Sequence, residues 1–303
     1  MGFFDLQVNG YAGVSFNGNS LDAAEVERVC ARLESQGVEG ILATVVTESL
    51  SVMEARLQRL AQLLRNRPAL QRIIRGIHIE GPFINSMEGY RGAHPADAIR
   101  LADEGAMHRL LDASEGFTRL VTLAPECDPG LKVTRMLVDK EIVVSAGHSD
   151  ASLDQLRAAI DAGLTMFTHL GNGCPIAMPR HDNIIQRALN LREKLWLCFI
   201  ADGAHIPFFA LKNYLELADL DRIIVVTDAI VAADMGPGNY RFGRWHLKIG
   251  DDLVARSSDN SHLVGSTVTM PKTFSNLTEH CGLSHEDAQK VLEQNPKAVL
   301  RAP

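Results

Sequence analysis

The chain has 303 residues, 46% of them hydrophobic, and its 30 Lys and Arg against 37 Asp and Glu leave a formal net charge of −7. This composition is typical of a globular protein and excludes disorder as the main state of the chain. It also argues against a nucleic-acid interface, because such a surface needs clustered basic residues and the sequence contains no such cluster. We therefore expect a small-molecule ligand and no nucleic-acid partner.

Membrane and export signals are not found in the sequence. Its apolar runs are strand-sized, such as Ile142–Ala146, and fall short of the roughly 20 residues of a membrane-spanning helix. The first residues, Met-Gly-Phe-Phe-Asp, do not have the pattern of a secretory signal. The 5 cysteines are widely spaced and include no Cys-x-x-Cys pair, which indicates reduced thiols. We therefore expect a cytoplasmic protein without a membrane segment.

Apolar, β-branched runs alternate with amphipathic stretches along the chain, and this alternation predicts parallel βα units. The predicted strands are Phe3–Asn9, Gly40–Val46, Ile73–Ile79, Phe117–Leu123, Ile142–Ala146, Thr165–His169, Leu195–Ile200 and Ile223–Thr227. The clearest predicted helices, where apolar residues recur at three- and four-residue steps, are Ala23–Gln36, Val52–Arg65, Leu153–Ala162 and Phe208–Leu217.

The fold class that this pattern predicts is α/β, as a (β/α)8 barrel of the TIM type, which requires eight such units. An open doubly wound sheet is the alternative architecture. Two segments depart from the simple alternation. Asn239–Ala255 predicts a β-hairpin inserted after strand eight. Ser284–Leu300 predicts a capped helix and then a short helical tail.

Polar and titratable residues recur at the C-terminal ends of the predicted strands. In a parallel barrel this rim forms the active site. A single polar residue after a strand has the ordinary explanation that loops are polar, but recurrence at successive strands favours convergence on one centre. These residues are Asp5, Gln7, Asn9, His78, Glu80, His148, His169, Asp202, His205 and Asp228.

Glu80, His148 and His169 form a ligand set suited to a divalent metal ion. One carboxylate and two imidazoles from strand ends can bind Zn²⁺ or a similar ion and leave coordination positions for water and substrate. Asp228 follows the last predicted strand. A carboxylate there can take a proton from an activated water and later pass it to a leaving amine. The residues therefore predict hydrolytic chemistry with Asp228 as general base and acid.

Seven segments carry a family resemblance. They are Asp-Leu-Gln-Val-Asn-Gly (5–10), His-Ile-Glu-Gly-Pro-Phe-Ile-Asn (78–85), Gly-His-Ser (147–149), Thr-His-Leu-Gly-Asn (168–172), Asp-Gly-Ala-His (202–205), Thr-Asp-Ala (227–229) and Gly-Ser-Thr-Val-Thr-Met (265–270). In this order they resemble the N-acetylglucosamine-6-phosphate deacetylase family of the amidohydrolase superfamily. The resemblance implies a metal-dependent barrel that hydrolyses N-acetylglucosamine 6-phosphate to glucosamine 6-phosphate and acetate.

The resemblance implies the same three metal ligands and the same role for Asp228. Many amidohydrolases carry His-x-His on the first strand for a second metal, whereas this chain has Gln-Val-Asn at residues 7–9. We therefore expect one divalent ion per subunit, with zinc preferred and iron, cobalt, manganese or nickel as alternatives. The residues expected around the second-metal position, where they would hold water, are Gln7, Asn9 and His78.

The resemblance also implies contacts with an amino-sugar phosphate. His94 and His205 would act in catalysis, by polarising the amide carbonyl or by holding hydroxyl and phosphate oxygens. Asn172 and the backbone of Gly173 would bind the phosphate. The other expected substrate contacts are Arg180 reaching from a neighbouring subunit, His181, and Leu263 and Val264 in the loop Ser261–Gly265.

Two features depart from the family pattern. Because the first predicted strand begins at Phe3, we expect one catalytic domain over residues 1–303 without the accessory β-sandwich domain of the family. Apolar surface that such a domain would cover favours a homodimer. Residues 171–183 differ from the family's phosphate-binding segments, so deacetylation is better supported than recognition of the 6-phosphate.

Two other functions remain open from the sequence. The chain could be an amidohydrolase acting on a different N-acyl amino sugar or on a cyclic amide, with His181 as a sign of the changed specificity. It could also be a catalytically inactive barrel that binds an amino sugar. The retained metal ligands and Asp228 argue against the inactive barrel, because binding alone does not need them.

Overall fold

The computed structural model describes residues 2–260 and 262–300. Its strands are β1 (Phe3–Val8), β2 (Gly10–Tyr11), β3 (Val14–Ser15), β4 (Val38–Val46), β5 (Ile74–Glu80), β6 (Thr118–Leu123), β7 (Val143–Ala146), β8 (Met166–Phe167), β9 (Trp196–Ile200), β10 (Ile223–Val226), β11 (Gly238–Phe242), β12 (Trp245–Ile249) and β13 (Ala255–Ser257). Its α-helices are α1 (Ala23–Ser35), α2 (Leu50–Asn66), α3 (Glu104–Ala113), α4 (Lys132–Val138), α5 (Leu153–Asp161), α6 (Ile184–Asn190), α7 (Phe208–Leu217), α8 (Met270–Glu279), α9 (His285–Gln289) and α10 (Asn295–Val299).

Eight parallel strands form one sheet in the order β1-β4-β5-β6-β7-β8-β9-β10. Its two edge strands meet where the Asn9 backbone N–H donates to the Ala229 carbonyl at 2.7 Å. The Asp5 carboxylate in β1 also accepts from Thr227, which directly follows β10, through its backbone N–H at 3.3 Å and its hydroxyl at 2.5 Å. The predicted (β/α)8 barrel is therefore confirmed, and the open doubly wound alternative is wrong.

The eight predicted strands all occur in this sheet. The largest change is in β8, where the predicted Thr165–His169 shortens to Met166–Phe167 because the chain turns away toward the site. The strands are almost entirely buried, as expected when helices cover the outside of a parallel sheet. The continuous apolar runs of the sequence are thus explained by burial on both faces.

The predicted helices also form, with ends within two residues of their predicted limits. Asp22 caps α1 through its carboxylate, and Ser152 with Gln155 forms a capping box at the start of α5. These side chains satisfy backbone N–H groups that have no partner inside the helix. The apolar positions of α1 turn one face to the strands, and its buried residues are Val26, Val29, Cys30 and Leu33.

The segment after β10 differs from its prediction. A two-stranded hairpin was expected over Asn239–Ala255, and the structure shows a three-stranded antiparallel sheet of β11, β12 and β13. The Trp245 indole N–H donates to the Ala93 carbonyl at 2.8 Å and holds this sheet against the 93–98 loop at the barrel rim. The added strand is three residues long and carries no alternating pattern that the sequence would reveal.

The C-terminal region forms the predicted capped helix and helical tail. The Ser284 hydroxyl accepts from the Asp287 backbone N–H and caps α9. A π-helical turn over Lys290–Gln294 joins α9 to α10. Within residues 2–260 and 262–300, no helix has both the length and the apolar character needed to cross a bilayer.

Candidate metal centre and active site

Four titratable residues occupy equivalent places at the C-terminal rim of the barrel. Glu80 is the last residue of β5, while His148, His169 and Asp228 lie two residues after β7, β8 and β10, respectively. The φ angles of these last three residues are 51°, 32° and 52°. Non-glycine residues rarely adopt this left-handed conformation, which costs free energy and is concentrated at functional sites.

Three of these side chains converge into one cluster. The ligand atoms of Glu80, His148 and His169 all lie within 4.8 Å of one another. Glu80 Oε1 is 3.2 Å from His148 Nε2 and 3.0 Å from His169 Nε2. All three side chains are buried. The structure therefore brings together the three residues that the sequence singled out as metal ligands.

Neighbouring groups orient the members of this cluster. The Gln7 amide donates to both Glu80 carboxylate oxygens at 3.1 Å. His148 Nδ1 lies 2.8 Å from the Tyr90 carbonyl and donates to it. Such a hydrogen bond to a carbonyl is the usual support of a metal-binding histidine.

The charge balance of the cluster suits a cation. Burial opposes ionisation of Glu80, but hydrogen bonds with His148 and His169 outweigh it and hold the Glu80 pKa well below its usual range. A buried carboxylate is thus kept charged beside two imidazole nitrogens. The buried Nδ1 of His169 has no hydrogen-bond partner in the described part of the protein. One carboxylate and two imidazoles with these supports fit a divalent metal ion.

Asp228 lies at the same rim with a different protonation. Burial, together with the negative charge of Glu80, raises the Asp228 pKa from 3.8 to about 7. The Asn9 amide donates to Asp228 Oδ1 at 2.7 Å and fixes the carboxyl group. A carboxyl group with a pKa near neutrality can both accept and release a proton under physiological conditions.

His94 reaches the cluster from the loop after β5. Its Nε2 lies 3.2 Å from His148 Nε2, and its Nδ1 lies 2.7 Å from the Thr47 hydroxyl oxygen. Burial and the adjacent His148 lower the His94 pKa to about 3. His94 is therefore a neutral imidazole, held by Thr47 at the edge of the cluster.

His205 follows β9 and has a different electrostatic setting. Burial alone would lower its pKa, but the hydrogen bond from Nδ1 to the Asp202 carboxylate, 2.7 Å long, raises the His205 pKa above its usual value. Asp202 also accepts from the Ala204 and His205 backbone N–H groups at 2.9 Å. This arrangement favours the protonated form of the imidazole at the rim, and the charge of Asp228 acts in the same direction.

His78 lies deeper in the barrel than the other predicted site residues. Its Nε2 is 2.8 Å from the Thr122 hydroxyl, and burial lowers its pKa to about 4. Gln7 and Asn9 are occupied by Glu80 and Asp228, as described above. The three residues expected near a second metal position thus lie around the cluster.

A cavity of about 1090 Å³ opens above the cluster. Asn172, Gly173, Leu263 and Val264 line it, together with His94, His205 and Asp228. Arg180 and His181 are exposed on the 171–183 loop and are not among the described residues that line the cavity of their own chain. Ser261, the first residue of the predicted substrate loop, lies outside the described residues.

Sequence reasoning missed three residues of the site. Thr47 directly follows β4, so the rule that drew attention to other strand ends would have found it. Tyr90 contributes its backbone carbonyl, which no side-chain pattern reveals. Arg56 lines the cavity from α2, and its position among apolar helix residues gave no signal that it faces a cavity.

Comparisons with known proteins agree in pointing to one family, although no protein-family model matches the chain. An N-acetylgalactosamine-6-phosphate deacetylase of Escherichia coli O157:H7 is 30% identical over 98% of this chain and 77% of its own length. An N-acetylglucosamine-6-phosphate deacetylase of Homo sapiens is 32% identical over 99% of this chain and 73% of its own.

A solved structure gives the same result at the level of the fold. It is a point mutant of the N-acetylglucosamine-6-phosphate deacetylase from Mycobacterium smegmatis, in complex with N-acetylglucosamine 6-phosphate. The two structures superpose with a TM-score of 0.88 at 32% identity, over 100% of this chain and 77% of the other. The chain therefore belongs to the N-acetylglucosamine-6-phosphate deacetylase family.

Proposed function

We propose that the protein hydrolyses the N-acetyl group of N-acetylglucosamine 6-phosphate to give glucosamine 6-phosphate and acetate. The observation that carries the proposal is the buried cluster of Glu80, His148 and His169 beside Asp228. The relatives named above are deacetylases of amino-sugar phosphates, and the cluster provides the groups that such a reaction requires.

Glu80, His148 and His169 would hold one divalent ion, for which we propose zinc. Iron, cobalt, manganese and nickel are accepted by similar ligand sets. When bound, such an ion supplies a Lewis acid that lowers the pKa of water and polarises a carbonyl oxygen. Gln7 keeps the Glu80 carboxylate in the orientation needed for this binding, because it donates to both of its oxygens.

Asp228 is the general base and then the general acid in the proposed reaction. As a carboxylate it accepts a proton from the attacking water while the water oxygen bonds to the acetyl carbon. It then donates that proton to the sugar nitrogen as the carbon–nitrogen bond breaks, and the products are acetate and the free amine. A pKa of about 7 lets one group perform both transfers.

The two histidines at the rim have pKa shifts in opposite directions, so they would bind different groups of the substrate. His94, neutral and held by Thr47, would contact and polarise the acetyl carbonyl oxygen. His205, whose pKa is raised by Asp202, would donate hydrogen bonds to hydroxyl or phosphate oxygens. Leu263 and Val264 would cover the sugar, since both line the cavity.

The phosphate end of the site completes the proposal. Asn172 and the Gly173 backbone line the cavity and would bind phosphate oxygens. Arg180 and His181 are exposed in their own chain, which suits residues that reach the cavity of a neighbouring subunit. We therefore propose a homodimer in which Arg180 supplies its guanidinium to the partner's phosphate site. We also propose a cytoplasmic location, in accord with five unpaired cysteines.

A second substrate has specific support. The Escherichia coli O157:H7 relative is named an N-acetylgalactosamine-6-phosphate deacetylase. The galactose epimer differs only at C4, so the same metal ligands and the same Asp228 would serve both sugars. Other N-acyl amino sugars are less well supported, because the relatives described above are named for 6-phosphates.

The test is a comparison of four substrates. Acetate release is measured from the 6-phosphates of N-acetylglucosamine and N-acetylgalactosamine and from both sugars without phosphate. We expect kcat/KM for one of the 6-phosphates to exceed that of its unphosphorylated form by at least a hundredfold. Equal turnover with and without phosphate would contradict the proposed phosphate site, and a preference for the galactose epimer would select the second substrate.

A further inference from the structure

Arg56 is a buried cation in the wall of the cavity. It belongs to α2, it is only 6% exposed, and it lines the cavity above the metal-binding cluster. Its burial lowers its pKa, which the charge of Glu48 partly offsets.

The guanidinium of Arg56 has no partner among the described residues. Its Nε is buried without a hydrogen bond, and no ion pair or aromatic stacking involves its side chain within residues 2–260 and 262–300. An arginine offers five N–H donors in a fixed planar fork. A buried charge is normally paired, because its desolvation is otherwise uncompensated.

The nearest carboxylate is already committed to another cation. Arg244 binds Glu48 through Nε, at 2.7 Å, and through a second, shorter contact from Nη2. The Nη1 of Arg244 donates to Asp97 at 2.8 and 3.0 Å. Glu48 also accepts from the Ser49 backbone N–H at 2.9 Å. The charge of Arg244 is thus paired with two carboxylates, whereas the neighbouring Arg56 has N–H donors without a partner among the described residues.

We propose that Arg56 is the anchor of an oxyanion subsite in the cavity, which takes a phosphate group between α2 and the β11–β12 turn. The planar fork suits bidentate binding of phosphate oxygens. The cavity of about 1090 Å³ is slightly larger than the usual range of ligand pockets, about 300–1,000 Å³, and has room for this subsite beside the metal centre. The phosphate is either that of the substrate, in which case Arg56 would bind it in place of Asn172 and the partner's Arg180, or a free ion, and the proposal does not depend on the deacetylase activity.

The direct test is isothermal titration calorimetry, in which inorganic phosphate is titrated into the zinc-loaded protein. We expect Arg56→Gln to weaken the phosphate affinity of this subsite at least tenfold. Arg59→Gln is the matched control, because Arg59 lies on the same helix, does not line the cavity and binds the Gly18 carbonyl instead. The control should keep the wild-type affinity. Equal affinities in all three proteins, or an equal loss in both variants, would overturn the proposal.

Thermal unfolding provides an independent readout that separates the buried charge from the bound ligand. Because Arg56 is an unpaired buried charge in the free protein, Arg56→Met should raise the melting temperature in phosphate-free buffer. Added phosphate should stabilise the wild type but not this variant. A lower melting temperature for Arg56→Met, with phosphate still stabilising it, would show that Arg56 has only a structural role.

Kinetics with the 6-phosphate sugar then separate the two sources of phosphate. If the substrate's own phosphate occupies the subsite, Arg56→Gln raises KM for the phosphorylated sugar alone, and free phosphate competes with it. If a separate ion binds, KM is unchanged and phosphate does not compete. A protein that binds phosphate through Arg56 but releases no acetate would refute the proposed function and leave the subsite intact.

Discussion

Three residues at the centre of the site, His148, His169 and Asp228, adopt positive φ angles two positions after a strand. The shared geometry turns each chain segment at the same level of the barrel. The strain is balanced by the contacts that hold each side chain, such as the Tyr90 carbonyl on His148. The backbone conformation of these residues, as well as their side-chain type, therefore places the functional groups at the site.

Asp228→Asn tests the proton transfer. Asparagine keeps the shape and the contact with Asn9 but cannot accept the proton, so we expect kcat to fall at least about a hundredfold while the metal content is unchanged. The exposed Asp161→Asn is the control and should keep the wild-type rate. An unchanged kcat for Asp228→Asn would remove this residue from the mechanism.

Thr47→Val tests whether Thr47 positions His94. The variant loses the hydrogen bond to His94 Nδ1 and the donation to the Glu80 backbone carbonyl at 3.2 Å. A lost bond to His94 of roughly 1 kcal/mol corresponds to roughly a fivefold lower kcat. Thr47→Ser keeps the hydroxyl and should restore the rate, with equal metal content in both variants. A similar loss in both variants would show that the methyl group, rather than the hydrogen bond, is what matters.

Some residues of the site could be predicted from the sequence, and others could not. Glu80, His148 and His169 could be found because polar residues at strand ends share one rim in a barrel. The link between Thr47 and His94 could not, because the two residues are 47 positions apart and meet only through the loop after β5. Arg56 was equally hidden, since an arginine on an amphipathic helix ordinarily faces solvent.

At the scale of elements, the junction of β1 and β10 closes the barrel through both backbone and side-chain hydrogen bonds. Asp5 lies in this junction, and burial raises its pKa from 3.8 to about 7, against the opposing hydrogen bond from Thr227. The folded state therefore holds a proton on Asp5 more tightly than the unfolded chain does. The contribution of Asp5 to stability is fully present below pH 3.8 and is lost as the pH rises through about 7.

Asp5→Asn should remove this pH dependence. Between about pH 5 and 8 the free energy of unfolding of the wild type should fall relative to that of the variant by about 2–3 kcal/mol. Urea unfolding at several pH values measures the difference. A difference that stays constant or changes in the opposite direction with pH would mean that Asp5 is already ionised in the folded protein.

The elements themselves were largely predictable. Long apolar runs and amphipathic stretches located every strand of the barrel and the four clearest helices, because burial of both faces of a parallel sheet leaves a strong pattern. The sheet after β10 was mistaken for a hairpin. Its third strand, Ala255–Ser257, is held by pairing with β12, a tertiary contact that so short a segment does not encode.

The 171–183 loop is anchored to the site through Arg187 of α6. Its guanidinium binds Asp182 at 2.6 Å and Asp150 at 3.0 Å. Asp150 lies two residues after His148, so one side chain joins the loop to the metal-binding segment. The base of the loop is therefore fixed, while Arg180 within it is exposed.

At the scale of the whole molecule, we expect a dimer in which sites are completed across the interface. Light scattering after size-exclusion chromatography should give about twice the subunit mass of 33.1 kDa. Mixing Asp228→Asn and Arg180→Gln proteins should then restore activity, because a mixed dimer has one site with an intact Asp228 and the partner's intact Arg180. A monomer at micromolar concentration, or no gain on mixing, would contradict shared sites.

The most direct test of the proposed reaction measures metal content and turnover in one sample. The protein is stripped of metal, reloaded with Zn²⁺, and assayed for acetate release from N-acetylglucosamine 6-phosphate, with Glu80→Gln in parallel. We predict one ion per subunit, acetate release only after reloading, and neither property in the variant. Full activity in the stripped protein, or bound zinc without acetate release from either 6-phosphate sugar, would contradict a metal-dependent deacetylase.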